Sequence, residues 1–279
     1  MTDLCDATVL ITGATGGFGR QMTRQFLEAG SRLVLTDLDA GPLEALRNEF
    51  SSAAGQILGA VTADLCGDAG CRKLYRDVRA LESVPDILVN NAGIGVGGRF
   101  DHVPADRWER VLQVNLLAPM RLCYLFLPHM IERGSGHIVN ISSLAGWIGT
   151  SGISSYCASK FGLRGFGQSL GMDYQDSGVR VSTVYPFFSR TPILDSDQFG
   201  YPARRKVPDD IVTDPADVVA AILKGISRNR RDIFPDKTAR RLHYVSRFLP
   251  WVIPLVDRRM QRKLDEEGQT AQRSTGTGG

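Results

Sequence analysis

Six short apolar runs, the first five each followed by a stretch of helical period, recur along this chain. Residues 7–12, 32–36, 56–62, 86–90, 137–141 and 180–185 have the length and composition of strands. Residues 19–29, 42–50, 69–81, 105–133 and 156–175 have the period of helices. A strand that is apolar without interruption is buried on both faces, and strands separated by helices can pair in parallel. With right-handed crossovers, this alternation predicts an α/β fold: a doubly wound parallel sheet of strand order 3-2-1-4-5-6. Ligands of such sheets bind outside the carboxyl ends of the strands. The unusual residues fall there: the glycines after strand one, Asp37, Asp64, Asn91, Ser142, Ser143 and Pro186.

Composition permits this fold and narrows the rest. With 279 residues, 43% of them hydrophobic and 23% charged, the chain can bury a sizeable core. A net charge of +3 gives no general attraction for nucleic acid, and none is expected as a partner. The five cysteines are odd in number and lack a Cys-x-x-Cys pair, so they are expected as reduced thiols of a cytoplasmic protein. The four histidines lack metal-ligand spacing, and no metal is expected. The acidic start is unlike the basic start of a secretory signal, and no apolar run reaches the ~18 residues that would span a bilayer. A single domain is expected, with a core at 1–195. Residues 196–268 would extend it as a helical substrate lid, and the polar tail at 269–279 would be disordered.

The first strand runs into Thr12-Gly13-Ala14-Thr15-Gly16-Gly17-Phe18-Gly19. Glycines there permit a tight turn and a close approach to a pyrophosphate, and the following helix presents free N–H groups to that anion. The strand–turn–helix setting favours a dinucleotide site at Gly13, Thr15, Gly17, Phe18 and Gly19. Asp37, about twenty residues on, can accept both hydroxyls of an adenosine ribose and would repel a 2′-phosphate. Leu38 follows where a basic residue would welcome that phosphate, so NAD is favoured over NADP. Arg20 is a mild counter-signal. Asp64 could bond an adenine amino group with Leu65 beside the ring, or could be a turn residue.

Tyr156 and Lys160 stand four apart, on one face if the segment is helical. A cation ~4 Å from a phenol, at an effective dielectric of ~20, favours the phenolate by roughly 4 kcal/mol before desolvation. Such a pair would be an acid/base device near neutrality.

Together these residues resemble the short-chain dehydrogenase/reductase superfamily over about residues 7–195, a Rossmann-like fold. The resemblance rests on T-G-x-x-x-G-x-G at 12–19, Asp64, N-N-A-G at 90–93, Asn115, a serine thirteen before the tyrosine, and Y-x-x-x-K at 156–160. It implies an NAD(P)-dependent oxidoreductase with Asn115, Ser143, Tyr156 and Lys160 as the catalytic set. Asn91 would hold the strand-four turn against the cofactor. Asn115 would interrupt its helix and hold a relay water. Thr191 would contact the nicotinamide carboxamide, and Ser142 would be structural. The family usually has glycine after Pro186. Here Phe187 and Phe188 follow, which suggests a bulky apolar wall. The resemblance also implies a homodimer or homotetramer paired through the long helices.

Between 224 and 263, twelve basic residues stand against three acids, a net of +9 in a chain whose total is +3. Residues 240–263 include Phe248-Leu249-Pro250-Trp251-Val252-Ile253-Pro254-Leu255, which could rest peripherally on an anionic membrane, or serve as a lid or subunit contact. The apolar wall points to a hydrophobic alcohol or ketone: steroid-, retinoid- or lipid-like. Two other readings stay open: a cofactor-binding regulator with vestigial activity, and an epimerase or lyase relative using NAD transiently.

Overall fold

The computed structural model describes residues 1–50, 56–81 and 84–276. Its main sheet contains β1 (Thr8–Thr12), β2 (Arg32–Asp37), β3 (Ile57–Thr62), β4 (Ile87–Asn90), β5 (Gly136–Ile141), β6 (Val179–Val184) and β7 (Asp232–Ile233). All pairings are parallel, in the order 3-2-1-4-5-6-7. The first six strands stand as the sequence predicts. The seventh pairs only Asp232 and Ile233 with Thr183 and Val184, too short a segment to carry a period.

The helices are α1 (Gly17–Glu28), α2 (Ala40–Glu49), α3 (Asp68–Ala80), α4 (Ala105–Leu112), α5 (Ala118–Arg133), α6 (Ser154–Asp173), α7 (Pro215–Ser227), α8 (Lys237–Phe248) and α9 (Ile253–Gly276). Successive strand side chains point to opposite faces. Val9, Ile11, Leu33 and Leu35 pack with Met22 and Phe26 of α1, Leu43 of α2 and Ile222 of α7. Leu10, Val34, Leu88 and Ile138 pack on the other side with Leu74 of α3, Phe126 of α5 and Leu170 of α6. Two covered faces account for the uninterrupted apolar runs. Each fully buried side chain of this size contributes about 1.5–3 kcal/mol.

A π-helical turn, Gln113–Leu117, joins α4 to α5, so residues 105–133 form one interrupted helix. Among the described residues it is the one helix long and apolar enough to cross a membrane, and half of its most apolar window is buried. The face bearing Leu122, Phe126 and Met130 is part of the core.

The C-terminal extension is packed onto the domain. Asp236 caps α8, accepting from the Ala239 amide at 2.6 Å. Along α9, Asp257 accepts from the Ser151 hydroxyl at 2.6 Å, Gln261 accepts from Arg205 at 2.7 Å, and Asp265 accepts from Arg205 at 2.6 and 3.1 Å. Helix α9 continues to Gly276, where composition predicts disorder from 269 on. Gln269, Ala271, Gln272 and Arg273 are adequate helix formers, and extending an existing helix costs far less than nucleating one. Residues 277–279 lie outside the described residues.

Candidate active site

The glycine-rich loop sits against the turn after β4. Gly13 has φ +65°, and a Cβ there would lie 2.8 Å from the Ala92 Cα. Asn91 fastens the two together: its Nδ2 donates to the carbonyls of Thr12 and Gly13 at 2.9 and 3.0 Å. Thr12 Oγ1 accepts from the amides of Asn91 and Ala92, both at 3.0 Å. A Cβ at Gly19 would strike the Gly13 carbonyl, and one at Gly17 would lie 2.5 Å from Thr191 Cγ2. Thr191 therefore covers the first turn of α1, while Phe18 packs toward the core. Helix α1 begins without an acidic residue in its first turn and without a side-chain cap. Its leading N–H groups are free of side-chain partners and carry the positive end of the helix dipole, which fits the phosphates of a dinucleotide.

Asp37 has a duty the sequence does not announce. Its Oδ2 accepts from the Thr15 amide at 2.8 Å and from the Thr15 hydroxyl at 2.6 Å, and its Oδ1 accepts from the Leu38 amide at 2.8 Å. The carboxylate thus ties the loop to the end of β2. Asp64 is exposed and accepts from the Cys66 amide at 2.9 Å, a turn residue in this structure. Leu65 belongs to the core, 8% exposed, so little of its side chain is left to face an adenine.

Four elements bring the catalytic candidates together. Tyr156, on α6, faces Ser143 at the end of β5, close enough for the serine to act on its hydroxyl. Ser143 also caps the short turn at 144–146, accepting from the Ala145 amide at 3.1 Å. Ser142 donates to the Lys160 carbonyl at 3.0 Å, a structural bond. Lys160 is 3% exposed, donates to the Ile141 carbonyl at 2.8 Å, and lies 5.5 Å from the Tyr156 ring centroid. Asn115, wholly buried in the π turn, accepts from the Ile94 amide and donates to the Ile94 carbonyl, both at 2.9 Å, and donates to Ser159 at 3.2 Å. Ser159 passes the bond on to the Tyr156 carbonyl at 2.7 Å. At Gly93 a Cβ would be 3.4 Å from Asn115 Oδ1 and 3.5 Å from Lys160 Nζ, so this glycine keeps open the space that the lysine faces. The sequence does not announce these roles of Gly93 and Ser159. The i+3 spacing of Ser159 from Tyr156 is the available sign.

The expected lowering of the Tyr156 pKa is not what the structure shows. The ring keeps partial exposure, but its hydroxyl is enclosed by protein, and burial pushes it up to about 12; Ser143 pulls the other way. Burial also pushes Lys160 down to about 8. Desolvation of both groups dominates, and the Lys160 ammonium gives its bond to a neutral carbonyl.

Beyond Pro186, the rings of Phe187 and Phe188 lie 4.7 Å apart, both partly exposed. The Phe187 amide donates to Asp236 at 3.0 Å, tying the flap to the cap of α8. Trp147, just after the Ser143 turn, carries Arg164 at 3.4 Å over its ring and meets His243 of α8 edge-on at 4.3 Å. This second tie is not legible beforehand, because its members are far apart in the chain. An open cavity of about 520 Å³ lies between the 98–101 and 151–154 loops and the extension, with Arg99, Ser154, Tyr201, Arg205 and Gln261 in its lining. Both arginines are already balanced, by Asp101 and Asp265.

Several known proteins are similar to this chain. "Probable oxidoreductase EphD" of Mycobacterium tuberculosis is 33% identical over 88% of the chain, which spans only 43% of that protein. "Epidermal retinol dehydrogenase 2" of Homo sapiens is 32% identical over 87% of this chain and 78% of its own length. A short-chain dehydrogenase from Sphingobium yanoikuyae, solved with NADPH, superposes with TM-score 0.73 at 31% identity, over 83% of this chain and 88% of its own. One from Burkholderia phymatum, solved with NAD, gives 0.79 at 25%, over 88% and 95%. The short chain dehydrogenase family model matches residues 7–199, which include the glycine loop and the Tyr156–Lys160 helix, and the chain belongs to the short-chain dehydrogenase/reductase superfamily.

Proposed function

We propose that the protein is an NAD-dependent dehydrogenase interconverting a hydrophobic secondary alcohol and its ketone, of steroid-, retinoid- or lipid-like character. The observation that carries this reading is Tyr156 facing Ser143, one helical turn from a buried Lys160 that meets no carboxylate among the described residues. Bound NAD supplies the hydride acceptor, and NADH the donor. Gly13, Thr15, Gly17 and Gly19 would shape the cradle for its phosphates, with Asn91 holding that cradle to β4 and Thr191 closing over it. Asp37 would accept ribose hydroxyls and oppose a 2′-phosphate. Arg20 supports the same preference, because it is paired with Glu49 rather than left for a phosphate.

In reduction, Tyr156 would give its proton to the developing alkoxide, and a phenol held near 12 gives it only where negative charge builds up. In oxidation it would first have to release its own proton, and as phenolate would take the alcohol proton. Ser143 would donate to the same oxygen, most strongly as charge develops. Lys160 would bond ribose hydroxyls, and Asn115 would keep the 93–94 turn open beside it for a water leading to solvent. Phe187 and Phe188 would form the apolar wall of the substrate pocket, and the name of the human relative, a retinol dehydrogenase, is that of an enzyme of a hydrophobic alcohol. Exposed Met120, Tyr124, Phe161 and Met172 on α5 and α6 support pairing of copies through those helices.

The test is a panel of steroid, retinoid and long-chain secondary alcohols, with NADH and NADPH formation read side by side. Faster turnover with NADP⁺ overturns the coenzyme assignment. NAD binding without turnover of any alcohol, or of the matching ketones with NADH, overturns the dehydrogenase reading in favour of a regulator.

A further inference from the structure

We propose that the corner between α8 and α9 is a docking surface for an anionic phospholipid bilayer. Both helices divide cleanly by period. In α8 the inward positions include Ala239, wholly buried, and His243, stacked on Phe234 and edge-on to Trp147. Its outward positions are Arg240, Arg241, Tyr244, Arg247 and Phe248. In α9, Asp257, Gln261 and Asp265 bond inward to the domain. Leu255, Arg258, Arg259 and Arg262 face out. Pro250 and Pro254 turn the chain between the helices, and Trp251 stands on that corner. Tyr244, Phe248, Trp251 and Leu255 are each 60–67% exposed, the most concentrated set of large exposed apolar side chains among the described residues.

The charge around this knob says what covers it. Arg240, Arg241, Arg247, Arg258, Arg259 and Arg262 pair with no carboxylate among the described residues. Elsewhere among the described residues some arginines, Arg20, Arg72, Arg133 and Arg205 among them, meet one and others such as Arg47, Arg110 and Arg180 do not; what sets these six apart is that they surround the exposed apolar knob. Long arginine stems lie along apolar surface while their heads reach phosphates, so arginines flanking an apolar knob suit lipid headgroups above an acyl boundary. A second copy of the chain fits poorly, because a two-fold contact sets this patch against itself and brings like charges together. A nucleic acid would occupy the arginines but leave Phe248, Leu249 and Leu255 in water. Helix α8 is also tied to the flap through Asp236 and Phe187, and to the Ser143 turn through His243 and Trp147. Docking by this corner would hold the site close to a phase in which hydrophobic alcohols dissolve.

Cosedimentation of the full chain with phosphatidylcholine vesicles, with and without phosphatidylserine, tests this without any turnover. The expected result is binding at least about tenfold tighter to the anionic vesicles, weakened by salt. Arg258→Glu with Arg259→Glu should lose at least about tenfold in affinity, whereas the two lysine replacements should keep it. Phe248→Ser with Trp251→Ser should weaken binding and remove the blue shift of tryptophan emission on anionic vesicles. All these variants should melt like the parent. The proposal is overturned if the folded parent stays in the supernatant with anionic vesicles, or if the charge-reversed pair binds as the parent does. It is equally overturned if the apolar pair alters only the oligomeric mass, or if RNA retains the protein and anionic vesicles do not. None of these outcomes bears on coenzyme or alcohol, so the oxidoreductase reading stands or falls separately.

Discussion

Lys160 donates to the Ile141 carbonyl from a position 3% exposed, with burial holding its ammonium down to about 8. A lysine kept charged there at neutral pH costs stability, since its folded pKa lies below the ordinary 10.5. The unfolded chain binds the extra proton between about 8 and 10.5, so this contribution to stability is complete above 10.5 and is lost as pH falls through 8. Lys160→Met should therefore raise the melting temperature at pH 7, by up to about 3 kcal/mol of stability, while turnover falls. A melt that drops instead would show that the carbonyl bond outweighs the desolvation. Tyr156→Phe removes the hydroxyl and keeps the ring. It should cut turnover by about 10²–10⁴-fold, with NAD affinity by fluorescence titration unchanged. Which residues stand at the site was legible from their types and spacing. How their proton affinities move was not, because the depth of burial that dominates both is a property of the folded site and not of a four-residue spacing.

At the scale of elements, the π turn at Gln113–Leu117 holds Asn115 where it meets both the amide and the carbonyl of Ile94. Asn115→Leu preserves the approximate volume but leaves these groups and Ser159 short of partners. It should cost roughly 2–4 kcal/mol in chemical denaturation and lower turnover, because the 93–94 turn would lose its anchor beside Lys160. Full stability in that variant would mean that water replaces the amide. The family resemblance implied the interruption at Asn115 in advance, yet its partners 21 residues away could not be read from it. The same limit separates the six long strands from β7. An uninterrupted apolar run declares a strand buried on two faces, whereas Asp232–Ile233 is a strand only because β6 lies beside it. Asp37 shows the converse, a residue found from its place at the end of β2 whose bonds to Thr15 reveal a second, structural duty.

Across the whole molecule, function and fastening occupy opposite ends of the sheet. The glycine loop, Asn91 and Ser143 follow the carboxyl ends of β1, β4 and β5, where the alternation of strands and helices placed a binding crevice. At the other end, His137 near the start of β5 lies 2.8 Å from Thr2 Oγ1 and 2.8 Å from Ser182 Oγ. Thr2 in turn donates to Asn229 at 2.6 Å, and Ser182 donates to the Arg230 carbonyl at 2.6 Å. One imidazole thus joins the first residues, two central strands and the approach to β7. Burial, helped by the charge of Arg180, pushes it down to about 4 from the ordinary 6.5. Above 6.5 it is neutral in both states and its contribution is complete. As pH falls toward 4 the unfolded chain takes up the proton first, and stability declines by about 3 kcal/mol. Replacing His137 with Asn removes the titration but keeps a donor and an acceptor. Urea unfolding from about pH 7 to about pH 4 should then show a lower plateau at neutrality and a shallower acid decline than in the parent. An equally steep decline would assign acid lability to other groups and leave this network as a neutral clasp.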